Sequence, residues 1–351
     1  REGFVRSGKN EKGERVEGYY RFVGFDLMDV AGLVEGASEG KGLGNEFLSD
    51  LSGADAFIHV VDMSGESDGE GKPVQGGDYY PGNDIRIIEK ELDLWYLGIL
   101  KKVWKSFART VEMQKQNFAE SVAQQFSGLK VKEDDVKQVV LKSGLDSEKP
   151  AGWSEEDIAR FAQMLRKESK PMIIAANKVD RPNGRANFEK VKEEFDYPIV
   201  ACFAEGELAL READKAGLIE YVPGSEKVEK KECLNDSAEQ GSADSESQKA
   251  PRLSDKQSEA IDGISKVLVE FGSTGVQEIL NKVVLDILDM FAIFPAGSKL
   301  EDSDGNVLPD CYLMKKGSTA LDFAFRLHTD IGKGFVKAVD VRTKRAVGKE
   351  Y

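Results

Sequence analysis

Two histidines and three cysteines in 351 residues leave little material for a metal centre built on nitrogen or sulfur. Cys202, Cys233 and Cys311 are odd in number and widely spaced, which excludes a disulfide framework and a paired-cysteine zinc knuckle and fits a reducing cytoplasm. His59 lies inside an apolar run and His328 near the end of a short helix, positions where an imidazole packs or faces solvent. No apolar run reaches the roughly 18 residues that span a bilayer. The most apolar stretch, ILNKVVLDILDMFAIF, is interrupted by Asn281, Lys282, Asp286 and Asp289, so no membrane partner is expected. The opening segment, REGFVRSGKNEKGERVEGYY, starts at Arg1 and has no signal-peptide pattern. A G-x-x-x-x-G-K-[ST] phosphate loop is missing as well; the nearest fragment, RSGKNEKG, has neither its spacing nor its flanking strand and helix.

What is present is globular material. Apolar residues make up 40% of the chain and aromatics 9%, enough to bury a real core in two or three domains. Forty-nine basic against 63 acidic side chains give a net charge of −14, which excludes a protein that coats DNA or RNA along its whole surface. The charge is uneven. Residues 311–351 carry nine basic side chains (Lys315, Lys316, Arg326, Lys333, Lys337, Arg342, Lys344, Arg345 and Lys349) against four acidic ones (Asp322, Asp330, Asp340 and Glu350). That local excess is either a solvated basic rim or a surface for RNA or another polyanion.

RFVGFDLMD has apolar residues at Phe22, Val23, Phe25, Leu27 and Met28 and predicts a strand closing at Asp29. DAFIHVVD is a continuous apolar run closing at Asp62, KPMIIAANKVD is another ending at Asn177, and YPIVACF is a fourth. Such runs, separated by helical segments, predict strands covered on both faces, hence an α/β domain with a mostly parallel sheet. Between the second and third runs, apolar residues recur at helical spacing over about a hundred residues, from Ile85, Ile88, Leu92, Trp95, Ile99 and Val103 to Phe107, Val111, Phe118, Val122 and Phe126. WSEEDIARFAQMLRKESK adds a helix with Ser154 as N-cap and Asp157 as its reciprocal partner. The expectation is an inserted helical hairpin or coiled-coil arm, with Trp95, Trp104 and Trp153 as core anchors.

Residues 225–257 are polar and poor in large apolar groups, which predicts a flexible linker. A helical stretch follows from about Ser254 to Phe291, broken at FGSTG. The C-terminal part then reads as a strand at CYLMKKGS, a short helix capped by Thr319 with Asp322, and a hairpin within GFVKAVDVRTKRAVG.

Two motifs carry chemistry. DVAG follows a predicted strand, so Asp29 can hold a magnesium-bound water while the Gly32 amide approaches a γ-phosphate oxygen. The glycines after it, Gly36, Gly40, Gly42 and Gly44, leave that turn free to change arrangement. On its own, D-x-x-G is weak, because two fixed residues recur by chance about once in 400 positions. NKVD is stronger: it sits at a strand end, and Asp180 can accept both guanine N1–H and the exocyclic amine, a pairing that adenine cannot reproduce. Asn177 can bind N7 or O6 or brace the loop, and the Lys178 stem can cover the ring.

DVAGLVEGASEGKGLGNEFL, ADAFIHVVD and IIAANKVD, followed by LMKKGSTALDFAFRLHTDIGKGFVKAVD, closely resemble the YchF subfamily of the Obg-related translation-factor GTPases in its archaeal form, over nearly the whole chain. The resemblance implies a P-loop-type GTPase domain in two parts (1–82 and 169–224), an inserted helical domain (83–168), an acidic flexible linker (225–256), a helical connector (257–292) and a C-terminal TGS domain with a β-grasp fold (293–351). It makes Asp29, Val30, Ala31 and Gly32 the magnesium and γ-phosphate switch, and Asn177, Lys178 and Asp180 the base-specificity loop. Relatives place a Ser-Ala pair, whose backbone contacts guanine O6, where this chain has Phe203, Ala204 and Glu205; the expectation is that the Ala204 amide still serves, without the side-chain support of the serine.

Some members replace the base-reading aspartate with glutamate and prefer ATP; this chain keeps Asp180, which favours GTP. Leu33 stands where many GTPases have a water-orienting glutamine, so no residue is assigned as catalytic. The implied cofactor is Mg2+, the implied substrate GTP, and the implied partner a ribosome or RNA held through the TGS domain and helical arm. Relatives carry the phosphate loop before the first strand read here and one more strand after the position of Tyr351, so the expectation is a chain clipped at both ends and inactive alone.

Overall fold

The computed structural model describes residues 4–9, 15–20, 23–30, 36, 51–231, 253–295 and 310–351. They divide into two compact units, residues 28–280 and residues 1–27 with 281–351.

In the larger unit the apolar runs form three parallel strands, β3 (Phe57–Asp62), β4 (Met172–Asn177) and β5 (Ile199–Cys202), in the spatial order β3-β4-β5. In chain order they follow a separate antiparallel hairpin of β1 (Phe4–Lys9) and β2 (Arg15–Tyr20), which belongs to the smaller unit. The register aligns Asp62 with Asn177 and Asn177 with Cys202, so three strands end on one line. β4 is central and its first five residues are buried, as a run of Met-Ile-Ile-Ala-Ala requires. One face of the sheet, through Phe57, Val61, Met172, Ile174 and Ala176, packs on Ile85 and Leu92 of helix α1 (Gly82–Gln114) and on Phe188 and Val191 of a later helix (Gly184–Glu194).

In the inserted segment, expected as a helical hairpin or coiled-coil arm, α1 packs along a second wall helix, α3 (Glu133–Ser143) packs on that wall and α2 (Phe118–Gln125) packs on α3. That second wall, α4 (Glu155–Ser169), starts with the Ser154–Asp157 capping box. Trp104 and Trp153 stack with ring centroids 5.1 Å apart beside Phe118 and Phe161. Trp104 is buried in this core as expected, and Trp153 packs against it half-buried, from the extended segment before the next helix rather than from a helix. After the sheet helix α5 (Gly184–Glu194), a third cluster joins α6 (Ala204–Lys215), β6 (Ile219–Tyr221), β7 (Val228–Lys230) and α7 (Asp255–Phe271) around Leu210, Tyr221, Ile264 and Leu268.

Three expectations are corrected. Residues 23–30 form no strand: Phe25, Leu27 and Met28 are exposed and the segment has no strand beside it among the described residues, and an extended run without a ladder partner is not a strand. The polar linker begins with structure, since Val228–Lys230 pairs antiparallel with Ile219–Tyr221; residues 232–252 lie outside the described set. The helical stretch also stops short of Phe291. It runs through α8 (Val276–Asn281) and a π-helical turn (Lys282–Ile287); Asp289 then turns left-handed at φ 49°, and β8 (Met290–Ile293) pairs with β9 (Tyr312–Lys315).

The remainder of the smaller unit matches its pattern: α9 (Ala320–Leu327) opens with the Thr319–Asp322 capping box, α10 (Thr329–Lys333) follows, and β10 (Ala338–Asp340) pairs with β11 (Arg345–Val347). Among the described residues no helix is long and apolar enough to cross a membrane.

His59 sits mid-strand in β3, and its Nδ1 is buried without a hydrogen-bond partner. Burial lowers its pKa from 6.5 to about 4. The folded state therefore binds fewer protons than the unfolded state between those values, and stability is lost as pH falls from 6.5 towards 4, by on the order of 2 kcal/mol. His59→Leu should remove that part of the acid dependence. Urea denaturation at pH 7 and pH 4.5 checks it, and an equal acid loss in the two proteins refutes the assignment.

Candidate guanine-nucleotide site

The site grows out of the line where β3, β4 and β5 end. Asn177 closes the central strand, and its side-chain Oδ1 accepts the Ala204 amide at 3.1 Å, so it braces the loop after β5. Sequence reasoning left bracing and base contact both open for Asn177; in this structure it braces. The Ala204 amide is thereby committed to Asn177 rather than free for guanine O6. Lys178 adopts a left-handed φ of 62°, which swings the chain sharply off the strand, and Val179 turns back into the core. Asp180 follows, its side chain 17% exposed, with Arg181 Nε 3.7 Å from its Oδ2. The turn is closed by Arg181 N donating to Lys178 O at 3.1 Å. Gly184 is required here, because a Cβ at that position would lie 2.3 Å from the Lys178 carbonyl oxygen.

Lys178 does not reach out alone. Its Nζ donates to Asp62 Oδ2 at 2.7 Å, linking the Asn177–Asp180 loop to the end of β3. Asp62 also accepts from the Ser64 amide at 2.9 Å, Ser64 Oγ at 2.6 Å and Ser67 Oγ at 2.8 Å. Partial burial pushes the Asp62 carboxyl up, but the bonds from Lys178, Ser64 and Ser67 outweigh it and hold it below the usual range. Sequence reasoning missed Asp62 as part of the site. The available signal was its place at the end of a strand that pairs with the one ending at Asn177. An open cleft lies beside this loop, where Asn183 Nδ2 donates to the Gly77 carbonyl at 3.1 Å.

The loop after β5 is Phe203, Ala204 and Glu205. Phe203 N donates to the Thr274 carbonyl at 2.8 Å, and Glu205 Oε2 lies 3.4 Å from Arg181 Nη2. Of the expected phosphate switch, Asp29 is exposed and Val30 packs against the core that holds Val61 and Val179. Ala31, Gly32 and Leu33 lie outside the described residues. Farther on, the buried Gly36 amide donates to Glu91 Oε1 of α1 at 2.8 Å, which ties the glycine-rich stretch to the helical arm. Among the described residues no three His, Cys, Asp or Glu side chains converge on a point that could hold a metal ion. Asp29 offers one exposed carboxylate, a ligand set that would hold Mg2+ only together with water and the phosphates of a nucleotide.

The pairing of Asp62 and Lys178 is testable without any ligand. Asp62→Ala should cost about 2 kcal/mol of stability, since it also strands the Ser64 donors. A double-mutant cycle with Lys178→Ala should give a coupling of about 1 kcal/mol by urea denaturation. Additive single effects would show that the two side chains do not interact.

Residues 175–297 match the family described as Obg-like GTPase YGR210-like, G4 motif-containing domain, and residues 290–351 match the TGS domain. A GTP-binding protein of Methanocaldococcus jannaschii is 42% identical over 94% of this chain and 79% of its own. The ribosome-binding ATPase YchF of Bacillus subtilis is 33% identical over 48% of this chain and 44% of its own. The crystal structure of a GTP binding protein from Pyrococcus horikoshii superposes with a TM-score of 0.67 at 39% identity, covering 87% of this chain and 77% of that one. The chain therefore belongs to the Obg-like family of GTP-binding proteins related to YchF, with a TGS domain at its C-terminal end.

Proposed function

We propose that residues 1–351 read the guanine base for a GTP-hydrolysing molecular switch that works in the cytoplasm with the ribosome. The observation that carries this is the Asn177–Asp180 loop at the carboxyl edge of three in-register parallel strands, braced across that edge by Ala204. Asp180 accepts from the guanine N1–H and exocyclic amine. With the Ala204 amide given to Asn177, guanine O6 falls to the next amide in the first turn of α6, that of Glu205, while Phe203 anchors the loop from behind.

Asp29, Val30, Ala31 and Gly32 form the γ-phosphate-sensing turn, with Asp29 contacting Mg2+ through water once the nucleotide brings the ion. Magnesium there neutralises phosphate charge. Leu33 offers no hydrogen bond to an attacking water, so hydrolysis relies on a backbone group, another residue, a cation or a partner for that task. The chain contains no phosphate loop, so the triphosphate adds little affinity to residues 1–351 and these residues alone turn over no GTP. The ribosome part of the proposal is supported by the name of the Bacillus subtilis relative, a ribosome-binding ATPase. That same name supports ATP as the competing nucleotide, against which stands the carboxylate of Asp180.

A second role, RNA binding by the TGS domain, is favoured by the hairpin turn between β10 and β11. Arg342, Lys344 and Arg345 are exposed there, and Lys344 is held left-handed at φ 57°.

Titration calorimetry and amide shifts should show GMP preferred over AMP, GTP within about ten-fold of GMP, and no magnesium dependence. Tight, magnesium-dependent GTP binding would overturn the view that the triphosphate finds no cradle here. Asp180→Asn presents a donor where guanine presents one, and should invert the preference to XMP over GMP by about ten-fold or more. An unchanged preference for GMP rules out Asp180 as the base reader. For the RNA role, Lys344→Ala with Arg345→Ala should weaken binding to ribosomal RNA and lower the salt slope by about two, and an unchanged slope discards the patch.

A further inference from the structure

The FGSTG turn, Phe271 to Gly275, holds more than a helix end needs. Gly272, at φ 80°, suffices to terminate α7. The rest of the turn is pressed against the back of the loop that follows β5. Gly275, also at φ 80°, approaches the Ala201 carbonyl so closely that a Cβ would lie 1.9 Å from its oxygen. Thr274 is 1% exposed, and its carbonyl accepts the Phe203 amide at 2.8 Å. Its hydroxyl donates to Glu207 Oε2 at 2.6 Å.

Glu207 is the anchor of this arrangement. It lies in the first turn of α6, is 4% exposed, and accepts at the same oxygen from Tyr221 Oη at 2.7 Å and at the other from Arg211 Nε at 2.5 Å. A carboxylate buried this deeply is tolerated because it has three donors and sits at a helix N-terminus, where negative charge is favoured. Three elements thus meet on one side chain: α6, which begins at Ala204; β6, through Tyr221; and the FGSTG turn.

The loop from Cys202 to Ala204 is consequently held from two sides. In front, Asn177 Oδ1 takes the Ala204 amide; behind, the Thr274 carbonyl takes the Phe203 amide. Phe203 has no hydroxyl with which to brace this loop from within. We infer that the FGSTG turn is the rear support of the guanine O6-reading loop and that Thr274, locked by Glu207, is a positioning residue for base selection. This rests on the proposal that the Asn177–Asp180 loop reads guanine. A turn that merely ended a helix would leave base selection untouched.

The test uses residues 1–351 with Thr274→Val, which keeps the shape and loses the hydroxyl, and Thr274→Ser, which restores it. Amide hydrogen exchange is read at Phe203 and Ala204, with Val139 in the helical arm as an internal reference, and GMP and AMP are titrated by amide shifts. In Thr274→Val the Phe203 and Ala204 amides should exchange at least ten-fold faster with Val139 unchanged. The preference for GMP over AMP should fall about ten-fold while AMP affinity stays constant. Thr274→Ser should return both readouts to wild type.

Wild-type protection and wild-type base preference in Thr274→Val overturn the inference. A wild-type protein with no preference for GMP overturns the base-reading proposal itself, and the role of the turn with it; a preference that survives Thr274→Val overturns the role of the turn alone. Should Thr274→Val fail to fold, Tyr221→Phe removes a different donor from Glu207 and should raise Phe203 and Ala204 exchange at least three-fold. Unchanged exchange in that variant rejects the support.

Discussion

The hydrogen bond from the Ala204 amide to Asn177 Oδ1 is the constraint on which the site depends. Ladder pairing aligns β4 and β5 only as far as Asn177 and Cys202, and the backbone bond beyond it, from Val179 N to the Cys202 carbonyl, is long at 3.5 Å. An acceptor on a short side chain at the last paired position carries the alignment further. Glutamine would place the oxygen a methylene too far, and aspartate would bring a second charge beside Lys178, which already answers Asp62. Of the two roles the sequence pattern leaves open for this asparagine, base contact and bracing of the loop, the structure shows the bracing.

The same logic runs through the buried charges. Arg166 of α4 is 1% exposed and donates from Nε to Asp93 of α1 at 2.8 Å, while Tyr197, ahead of β5, donates to Glu89 of α1 at 2.5 Å. Lys170, directly before β4, is fully buried; it donates to the Ser52 carbonyl at 2.7 Å and also to that of Ala54, and burial lowers its pKa to about 8. Pairs of this kind add little net stability over well-packed apolar groups. What they supply is orientation: Arg166 joins the two wall helices of the arm, Tyr197 ties the segment before β5 to α1, and Lys170 ties the start of β4 to the segment before β3.

What was legible in the sequence was local. The capping boxes at Ser154 and Thr319 need residues only three apart, the β4 run declares a doubly covered strand by itself, and Asn177, Lys178 and Asp180 are adjacent to one another. What failed depended on partners far along the chain. The run from Phe22 to Met28 has the pattern of a strand but no ladder among the described residues, and Met290–Ile293 follows a helical period until its pairing with Tyr312–Lys315 overrides it. Asp62, Glu207 and Thr274 carry no recognisable motif, because their roles arise from contacts more than sixty residues away. The side chains proposed to read the base were visible as a word, whereas the side chains that hold the word in place were visible only in the fold.

This division also sets what the site can contribute to a nucleotide. The basic residues that follow the central strand already have acidic partners: Lys178 meets Asp62, Arg181 lies between Asp180 and Glu205, and Arg185 meets Glu270. Neutralised in this way, they present little net positive potential to a phosphate chain, whose binding is dominated by charge and by backbone donors. Guanine recognition needs neither. It needs acceptors and donors fixed to within a few tenths of an ångström, and paired charges are good at fixing positions. An edge so arranged suits the base-reading role proposed for it, and on that proposal the energy for holding the phosphates has to enter through other groups.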